Sequence, residues 1–141
     1  MLAETVTAAP RTSTASRSVG ASLPMALQST LQPNFSFDLS RVQTHCDADA
    51  AELTGAYRAR AMTVGEHIYF GPRHAPGFDP VTLHELAHVE QQHGARGRPM
   101  GTDRGALEAD ADRVSAALLR GESAAPTMRA PSGGVQLAAE P

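Results

Sequence analysis

The sequence contains no lysine and no tryptophan, and Cys46 is its single cysteine. One cysteine cannot form a disulfide bond within the chain, so the fold does not depend on an oxidising compartment. The 12 basic residues, all arginines, are scattered singly, and the formal net charge is −3. Together with an aromatic content of 4%, this charge distribution argues against a nucleic-acid-binding surface.

Long apolar runs are also missing. No segment approaches the roughly 18 consecutive apolar residues that a transmembrane helix needs. The first residues, MLAETVTAAPRTSTASR, lack the apolar stretch of a classical signal peptide. We therefore expect no membrane span, no signal-directed export and a cytoplasmic location in the producing cell.

The chain of 141 residues is long enough for one small domain. Residues 1–22 are rich in Ala, Thr, Ser and Arg without an apolar period, and this composition predicts a disordered N-terminal tail. Residues 121–141 are rich in Ala, Pro, Gly and Ser, which predicts a disordered C-terminal tail. The folded domain is therefore expected over residues 23–120.

Hydrophobic periodicity and capping residues predict both helices and strands within this domain. The Gly65-Glu66 pair predicts a tight turn between two strands of a β-hairpin. Asp79 followed by Pro80 predicts an N-capped helix start. The predicted elements are a short helix over 23–31, a strand over 41–46, a helix over 48–59, hairpin strands over 61–64 and 67–70, a helix from Pro80 to His93 and a helix over 103–120.

The helix predicted to begin at Pro80 carries the pattern His-Glu-x-x-His at His84, Glu85 and His88. Residues i and i+4 of a helix lie one turn apart on the same face, so both imidazoles can bind one metal ion. Glu85 lies about 100° around the helix from His84, beside the open coordination position of such an ion. Its carboxylate can there accept a proton from metal-bound water. The competing interpretation is a pair of surface histidines on an amphipathic helix.

A catalytic zinc site needs three protein ligands, so the two histidines require a third. Glu108 and Asp112 are spaced i and i+4 on the helix predicted over 103–120, beside the apolar stripe of Leu107, Ala111, Val114 and Leu118. Glu108 is the predicted third ligand, and Asp112 is predicted to accept the free ring N–H of a ligand histidine. The alternative is a polar helix face exposed to water. Two His and one Glu make zinc the expected metal.

The two motifs together, His84-Glu85-x-x-His88 followed by Glu108-x-x-x-Asp112, resemble those of the gluzincin metallopeptidases. In that family the two histidines and the downstream Glu bind zinc, and the Glu inside the first motif is the general base. A wider set of segments is similar to the eCIS core domain, a metallopeptidase domain linked to bacterial extracellular contractile injection systems. These segments are FDLSRV (37–42), AMTVG (61–65), IYFG (68–71) and HELAHVEQQ (84–92).

The resemblance covers roughly residues 23–120 and implies an α+β, zincin-like fold. In such a fold, a short sheet with its β-hairpin packs on the helix of the first motif, and a second, C-terminal helix carries a ligand. The resemblance further implies a zinc-dependent metallopeptidase that hydrolyses peptide bonds through a zinc-activated water, with Glu85 as general base. His84, His88 and Glu108 would bind one Zn²⁺ ion.

Two kinds of partner are expected from the resemblance: a protein or peptide substrate, and components of an injection system that delivers the chain or acts with it. The alternative function is a catalytically weak zincin-fold module for binding or cargo loading, in which zinc is structural. The zincin resemblance also places an extended substrate along the backbone edge of the hairpin, around His67–Phe70.

One departure from the gluzincin pattern concerns the oxyanion. Gluzincins typically add a His or Tyr after the third ligand to stabilise it, and neither residue type follows Asp112. A substitute must come from elsewhere, and the sequence leaves five candidates: Tyr57, Tyr69, His67, His74 and Arg73. Cys46 is expected to be a small buried residue at the end of a strand. A further hypothesis is that its thiolate caps the zinc.

Overall fold

The computed structural model describes residues 20–94, 97–101, 103–131 and 135–139. Four α-helices lie in this part of the chain: α1 (Met25–Leu31), α2 (Ala48–Ala56), α3 (Pro80–His93) and α4 (Arg104–Leu119). Short 3-10 turns over Gln32–Asn34 and Leu39–Arg41 follow α1. None of the described helices combines the length and apolarity that a membrane crossing needs.

The strands of the described chain form one five-stranded mixed sheet in the order β1–β2–β4–β3–β5. Their bounds are β1 (Ala21–Ser22), β2 (Gln43–His45), β3 (Ala59–Val64), β4 (His67–Phe70) and β5 (Val135–Ala139). Strands β2 and β4 pair in parallel, and all other neighbours are antiparallel. Gly65 has a φ of 63° in the turn between β3 and β4, a left-handed conformation that favours glycine. The α+β class and the hairpin are confirmed.

Helix α3 lies at the centre of the fold, because every residue over 81–92 is buried. The helix begins as predicted: the Asp79 carboxylate accepts a hydrogen bond of 2.9 Å from the Thr82 amide. Leu83 and Leu86 belong to the apolar core on one side of the helix. Its other side carries polar residues that are also buried, so their hydrogen-bonding partners must come from the protein itself.

Helix α4 packs against α3 through its apolar face. The Ser115 hydroxyl donates to the Pro80 carbonyl oxygen at 3.2 Å and so ties α4 to the first turn of α3. The predicted stripe is confirmed, because all four of its members are buried: Leu107, Ala111, Val114 and Leu118. This packing turns the polar residues beside the stripe towards the motif on α3.

The prediction of a disordered tail over 121–141 is wrong for the described residues. The Thr127 amide donates to the Asp110 carboxylate at 3.0 Å, and the Ala130 amide donates to the Gln91 carbonyl oxygen at 2.7 Å. Farther along, β5 pairs with β3. The composition of this segment predicts disorder because it carries no information about partners supplied by distant residues. Most of the predicted tail over 1–22 lies outside the described residues, and its last two residues form β1.

The expectation that the hairpin offers a free edge at His67–Phe70 is also wrong. This strand, β4, has β2 on one side and β3 on the other, so both of its edges are already paired. The outer edge of the hairpin belongs instead to β3, and β5 pairs with it. The sequence places the hairpin correctly, but only the strand order decides which of its two edges faces outward.

Candidate metal centre

Helices α3 and α4 bring the three predicted zinc ligands together. The His84 Nε2 atom lies 3.1 Å from His88 Nε2 and 2.9 Å from Glu108 Oε1. His88 Nε2 lies 3.0 Å from Glu108 Oε2. Both histidines are buried, so their interpretation as surface residues of an amphipathic helix is wrong. Among the described residues, these three form a ligand set whose candidate donor atoms all lie within 4.8 Å of one another.

The second ring nitrogen of His84 contacts the residue that the sequence suggested. His84 Nδ1 lies 2.8 Å from Oδ1 of Asp112, whose side chain is 74% exposed. An ionised carboxylate only accepts hydrogen bonds, so Nδ1 carries the proton. A neutral His84 that donates from Nδ1 has its lone pair on Nε2, which faces His88 and Glu108.

The corresponding contact of His88 is one that the sequence analysis missed. Gln91 lies one turn farther along α3, with its Oε1 atom 2.8 Å from His88 Nδ1. The Gln91 Nε2 atom donates to the Leu107 carbonyl oxygen at 3.0 Å and to Asp110 Oδ2 at 3.1 Å. These two acceptors assign the amide nitrogen, so its oxygen must accept from the Nδ1–H of His88. His88 therefore also presents its lone pair at Nε2.

Asp110 fixes the orientation of the Gln91 amide. Its side chain is 2% exposed, and besides Gln91 it accepts hydrogen bonds from the amide and the hydroxyl of Thr127. The i, i+3 spacing of His88 and Gln91 is a signal that the sequence offers, because it puts both on one helix face. No local spacing connects Gln91 to Asp110, which lies on the next helix.

The donor set fits a divalent cation. With both Nδ1 atoms protonated, two imidazole lone pairs and the Glu108 carboxylate face one another across about 3 Å. The buried Oε2 atom of Glu108 has no hydrogen-bond partner among the described residues, although His88 Nε2 is close to it. Without a metal ion, imidazole protons lie between these atoms, and a bound cation would take their place. Two neutral imidazoles and one carboxylate are ligands that zinc prefers.

The contacts behind the histidines also match those of metal sites. A histidine ligand almost always donates its other ring N–H to a carboxylate, a carbonyl or a water molecule. His84 donates to a carboxylate of Asp112, and His88 donates to the amide oxygen of Gln91. Each ring is thus held with its Nε2 atom directed into the ligand set.

Glu85 is fully buried and lies against strand β3. Its Oε1 atom accepts a hydrogen bond from the Thr63 hydroxyl, whereas its Oε2 atom has no partner among the described residues. Burial raises the pKa of Glu85, and the neighbouring His88 and the bond from Thr63 only partly oppose this rise. One carboxylate oxygen is thus fixed in place and the other is available to accept a proton.

The charges of the ligand set are strongly coupled. Burial lowers the pKa of His84, but the hydrogen bond with Glu108 and the charges of Glu85, Glu108 and Asp112 outweigh this effect and raise it. Burial raises the pKa of Glu108, but the hydrogen bond with His84 and the close approach of His88 hold it at about 2, below its ordinary 4.5. Glu108 is therefore ionised at neutral pH, which suits a metal ligand.

A cavity of about 250 Å³ opens beside the ligand set. Its lining consists of Arg60, Pro80, Val81, His84, Glu108, Asp112 and Ser115. Arg60 comes from β3, the strand that also carries Thr63, and the sequence analysis did not single it out. Among the described residues that line this cavity, none is one of the five oxyanion candidates that the sequence left open: Tyr57, Tyr69, His67, His74 and Arg73.

Cys46 is exposed, so its predicted burial is wrong. Its sulfur is also absent from the ligand set found among the described residues. It directly follows β2, where His45 Nε2 lies 3.0 Å from His67 Nδ1 and the His45 ring stacks on Tyr69. These rings occupy neighbouring positions on β2 and β4 rather than on the metal-binding helices.

The model of one protein family, the eCIS core domain, matches residues 22–96, which is more than half of the chain. The chain belongs to the eCIS core domain family. This membership associates the protein with contractile injection systems. Searches of curated proteins and of solved structures found no match to it. The matched region contains Glu85 and both histidines of the ligand set, whereas Glu108 and Asp110 lie beyond it.

Proposed function

We propose that this eCIS core domain is a zinc-dependent metallopeptidase of the gluzincin type, with a zincin-like arrangement of its sheet and two ligand helices. His84, His88 and Glu108 bind one Zn²⁺ ion, and Glu85 is the general base. The observation that carries the proposal is the convergence of His84 Nε2, His88 Nε2 and the ionised Glu108 carboxylate from two packed helices, with contacts of 3.1, 2.9 and 3.0 Å between them.

The ligand set and the residues that contact it have distinct roles in this proposal. Asp112 and Gln91 hold the two imidazoles in the tautomer that leaves Nε2 free for the metal. When bound, zinc supplies a Lewis acid that makes a water molecule nucleophilic near neutral pH and polarises a substrate carbonyl. The ionised Glu108 completes the three protein ligands that a catalytic zinc site uses.

Proton transfer is the task of Glu85. The Thr63 hydroxyl fixes its Oε1 atom, and the unpartnered Oε2 atom accepts the proton of the attacking water. Burial raises its pKa, which brings this carboxylate closer to the range in which it both accepts a proton and returns it to the leaving amine. Arg60, in the wall of the cavity, is the cation that we propose to stabilise the oxyanion.

The proposal is tested first by metal content and then by turnover. Purified full-length protein is supplied with zinc, dialysed and measured by elemental mass spectrometry, beside His88→Ala and Glu85→Gln. We expect about one zinc per chain in the wild type and in Glu85→Gln, and loss of zinc in His88→Ala. A peptide library is then incubated with each protein, and new peptide termini are counted by mass spectrometry. Glu85→Gln should reduce their rate of formation by about 10²–10⁴-fold.

Two results would count against the proposal in different ways. Absence of zinc from the wild type after supply and dialysis overturns the metal site itself. Zinc that is retained with no cleavage by wild type, or with equal cleavage by Glu85→Gln, overturns only the peptidase. If the wild type retains zinc but cleaves no peptide, the zinc would belong to a binding or cargo-loading module of the injection system.

A further inference from the structure

The segment that follows α4 binds back to both helices that carry the candidate metal ligands. On α4, the Asp110 carboxylate accepts hydrogen bonds from the Thr127 amide at 3.0 Å and from the Thr127 hydroxyl at 2.9 Å. On α3, the Gln91 carbonyl oxygen accepts a hydrogen bond from the Ala130 amide at 2.7 Å. Residues 124–131, which we call the clasp, therefore connect the two ligand-bearing helices.

Arg113 adds a further connection between α4 and the clasp. Its Nη2 atom donates to Asp110 Oδ1 at 3.1 Å and to the Ala125 carbonyl oxygen at 2.8 Å. Asp110 thus receives hydrogen bonds from its own helix, from the clasp and from α3. Its side chain is 2% exposed, and a buried carboxylate needs such donors. The position of the Asp110 carboxylate therefore depends on the clasp.

Gln91 connects the Asp110 carboxylate to the ligand set. Its Nε2 atom donates to Asp110 Oδ2, the oxygen that also accepts from the Thr127 amide. Its Oε1 atom lies 2.8 Å from Nδ1 of His88. If the amide were turned over, it would offer His88 an N–H group and put its own oxygen against two acceptors, the Leu107 carbonyl and Asp110. The carboxylate therefore decides which end of the amide His88 contacts.

We propose that Thr127 and Asp110 are positioning residues for the metal site, and that docking of the clasp and metal binding therefore favour each other. They act on His88 through Gln91. The proposal rests on the metal site of the proposed function but not on peptide hydrolysis. The family match ends at residue 96, so the clasp and Asp110 lie outside the matched region.

The direction of this coupling follows from the chemistry of imidazole. A ring whose Nε2 lone pair binds a cation is a stronger donor at Nδ1, because it loses electron density to the cation. Each strengthened hydrogen bond polarises the next, so the effect passes from His88 through Gln91 to the Asp110 carboxylate and so to the clasp. The coupling is reciprocal: the factor by which release of the clasp weakens metal binding equals the factor by which metal binding hinders that release.

The first test is the zinc affinity of full-length variants at position 127, measured by competition with a chromophoric chelator. Thr127→Pro removes the amide and hydroxyl donors, Thr127→Val removes the hydroxyl alone, and Thr127→Ser keeps both. We expect zinc binding to be about tenfold weaker in Thr127→Pro, intermediate in Thr127→Val and unchanged in Thr127→Ser. The control for a general loss of stability is Asp47→Ala, which removes the cap of α2 and should bind zinc as the wild type does.

The two ligand histidines give a readout that a merely structural role would leave unchanged. His88 donates from Nδ1 to Gln91, which the clasp orients, whereas His84 donates to the exposed Asp112. In zinc-loaded protein we expect the Nδ1–H proton of His88 to exchange with water faster in Thr127→Pro than in the wild type. That of His84 should exchange equally in both. Heteronuclear NMR of histidine-labelled protein measures both protons, and a general loosening of the fold would affect them alike.

Hydrogen exchange in the unchanged protein tests the coupling without any variant. The clasp offers two amides for comparison: that of Thr127 donates to Asp110, and that of Ala124 donates to the side-chain oxygen of Asn34 at 3.0 Å. We expect zinc to slow exchange of the Thr127 amide by about tenfold, the same factor as in the affinity measurement, and to leave the Ala124 amide unchanged. This comparison tests the proposal even if Thr127→Pro does not fold.

The possible outcomes separate this coupling from the proposed function. Equal zinc affinity of Thr127→Pro and the wild type, or an equal effect of zinc on the Thr127 and Ala124 amides, overturns the coupling and leaves the metal site standing. An equal loss of affinity in Asp47→Ala overturns it too, because the effect then comes from stability alone. Absence of zinc from the wild type overturns the metal site and the coupling together. Coupled zinc binding without peptide cleavage supports the coupling and refutes only the peptidase.

Discussion

Two aspartates on α4 are predicted to affect chiefly different properties when substituted by alanine: Asp110 the stability of the fold, and Asp112 the affinity for zinc. Asp110 and Asp112 lie two residues apart, but the Asp110 side chain is 2% exposed and that of Asp112 is 74% exposed. Asp110 accepts hydrogen bonds from the Thr127 amide, the Thr127 hydroxyl and Gln91 Nε2. Within the described part of the chain, Asp112 contacts the ligand set through Nδ1 of His84.

The expected magnitudes follow from these contacts. Each hydrogen bond to a charged group contributes about 1.5–3 kcal/mol. Because the several bonds of Asp110 share one carboxylate, their contributions do not simply add. Asp110→Ala should therefore lower the free energy of unfolding by about 3–5 kcal/mol. For a small domain this is a large part of a total of about 5–15 kcal/mol. Asp112→Ala removes an exposed pair and should cost less than about 1 kcal/mol. It should instead weaken zinc binding by about 10–100-fold, because His84 loses the acceptor that orients it.

Urea unfolding of chelator-treated protein measures the first effect, and competition with a chromophoric chelator measures the second. Asp110→Asn, which keeps one acceptor oxygen, serves as the conservative variant and should lose about 1–2 kcal/mol. The reasoning is refuted if Asp110→Ala unfolds within about 1 kcal/mol of the wild type, or if Asp112→Ala binds zinc as tightly as the wild type.

Two further predictions concern Glu108 and Arg60. In metal-free protein the pKa of Glu108 is about 2, below its ordinary 4.5, so its ionised form stabilises the fold above pH 4.5 and this contribution is lost as the pH falls towards 2. After allowance for solvent screening, the free energy of unfolding in urea should be about 1–2 kcal/mol higher for the wild type than for Glu108→Gln near pH 5. This difference should vanish near pH 2. A difference that does not change with pH would contradict the prediction. If Arg60 stabilises the oxyanion, Arg60→Gln should retain zinc but reduce kcat by about 10²–10³-fold, with partial recovery in Arg60→Lys. An unchanged kcat would assign Arg60 to another role.

The local features of the fold were predictable because their causes lie within one helical turn or one hairpin. The Asp79 carboxylate caps α3 by bonding to an amide three residues away, which a sequence pattern reveals. The i, i+4 spacing of His84 and His88 puts both imidazoles on one helix face whatever surrounds the helix. Gly65 marks the hairpin because its turn needs a positive φ.

The candidate site was predictable only in part. Glu108 and Asp112 were identified by their own i, i+4 spacing, but their approach to His84 depends on how α4 packs against α3. Gln91 was missed although its i, i+3 spacing from His88 was visible, because the bond that orients its amide comes from Asp110 on the other helix. No local spacing marks Asp110 for this role. Arg60 was missed because a single arginine in a strand carries no pattern that marks the wall of a cavity.

The sequence by itself determined the ends of α3 and α4, the hairpin, and the residue types that can bind a metal ion. These follow from capping, periodicity and donor chemistry, which act over a few residues. The tertiary structure alone decided which hairpin edge faces outward and that residues 135–139 pair with it. It also decided that a helix with many polar residues is buried rather than solvated. The physical reason is that burial and edge pairing depend on partners brought together from distant parts of the chain, and neither composition nor local spacing encodes where those partners lie.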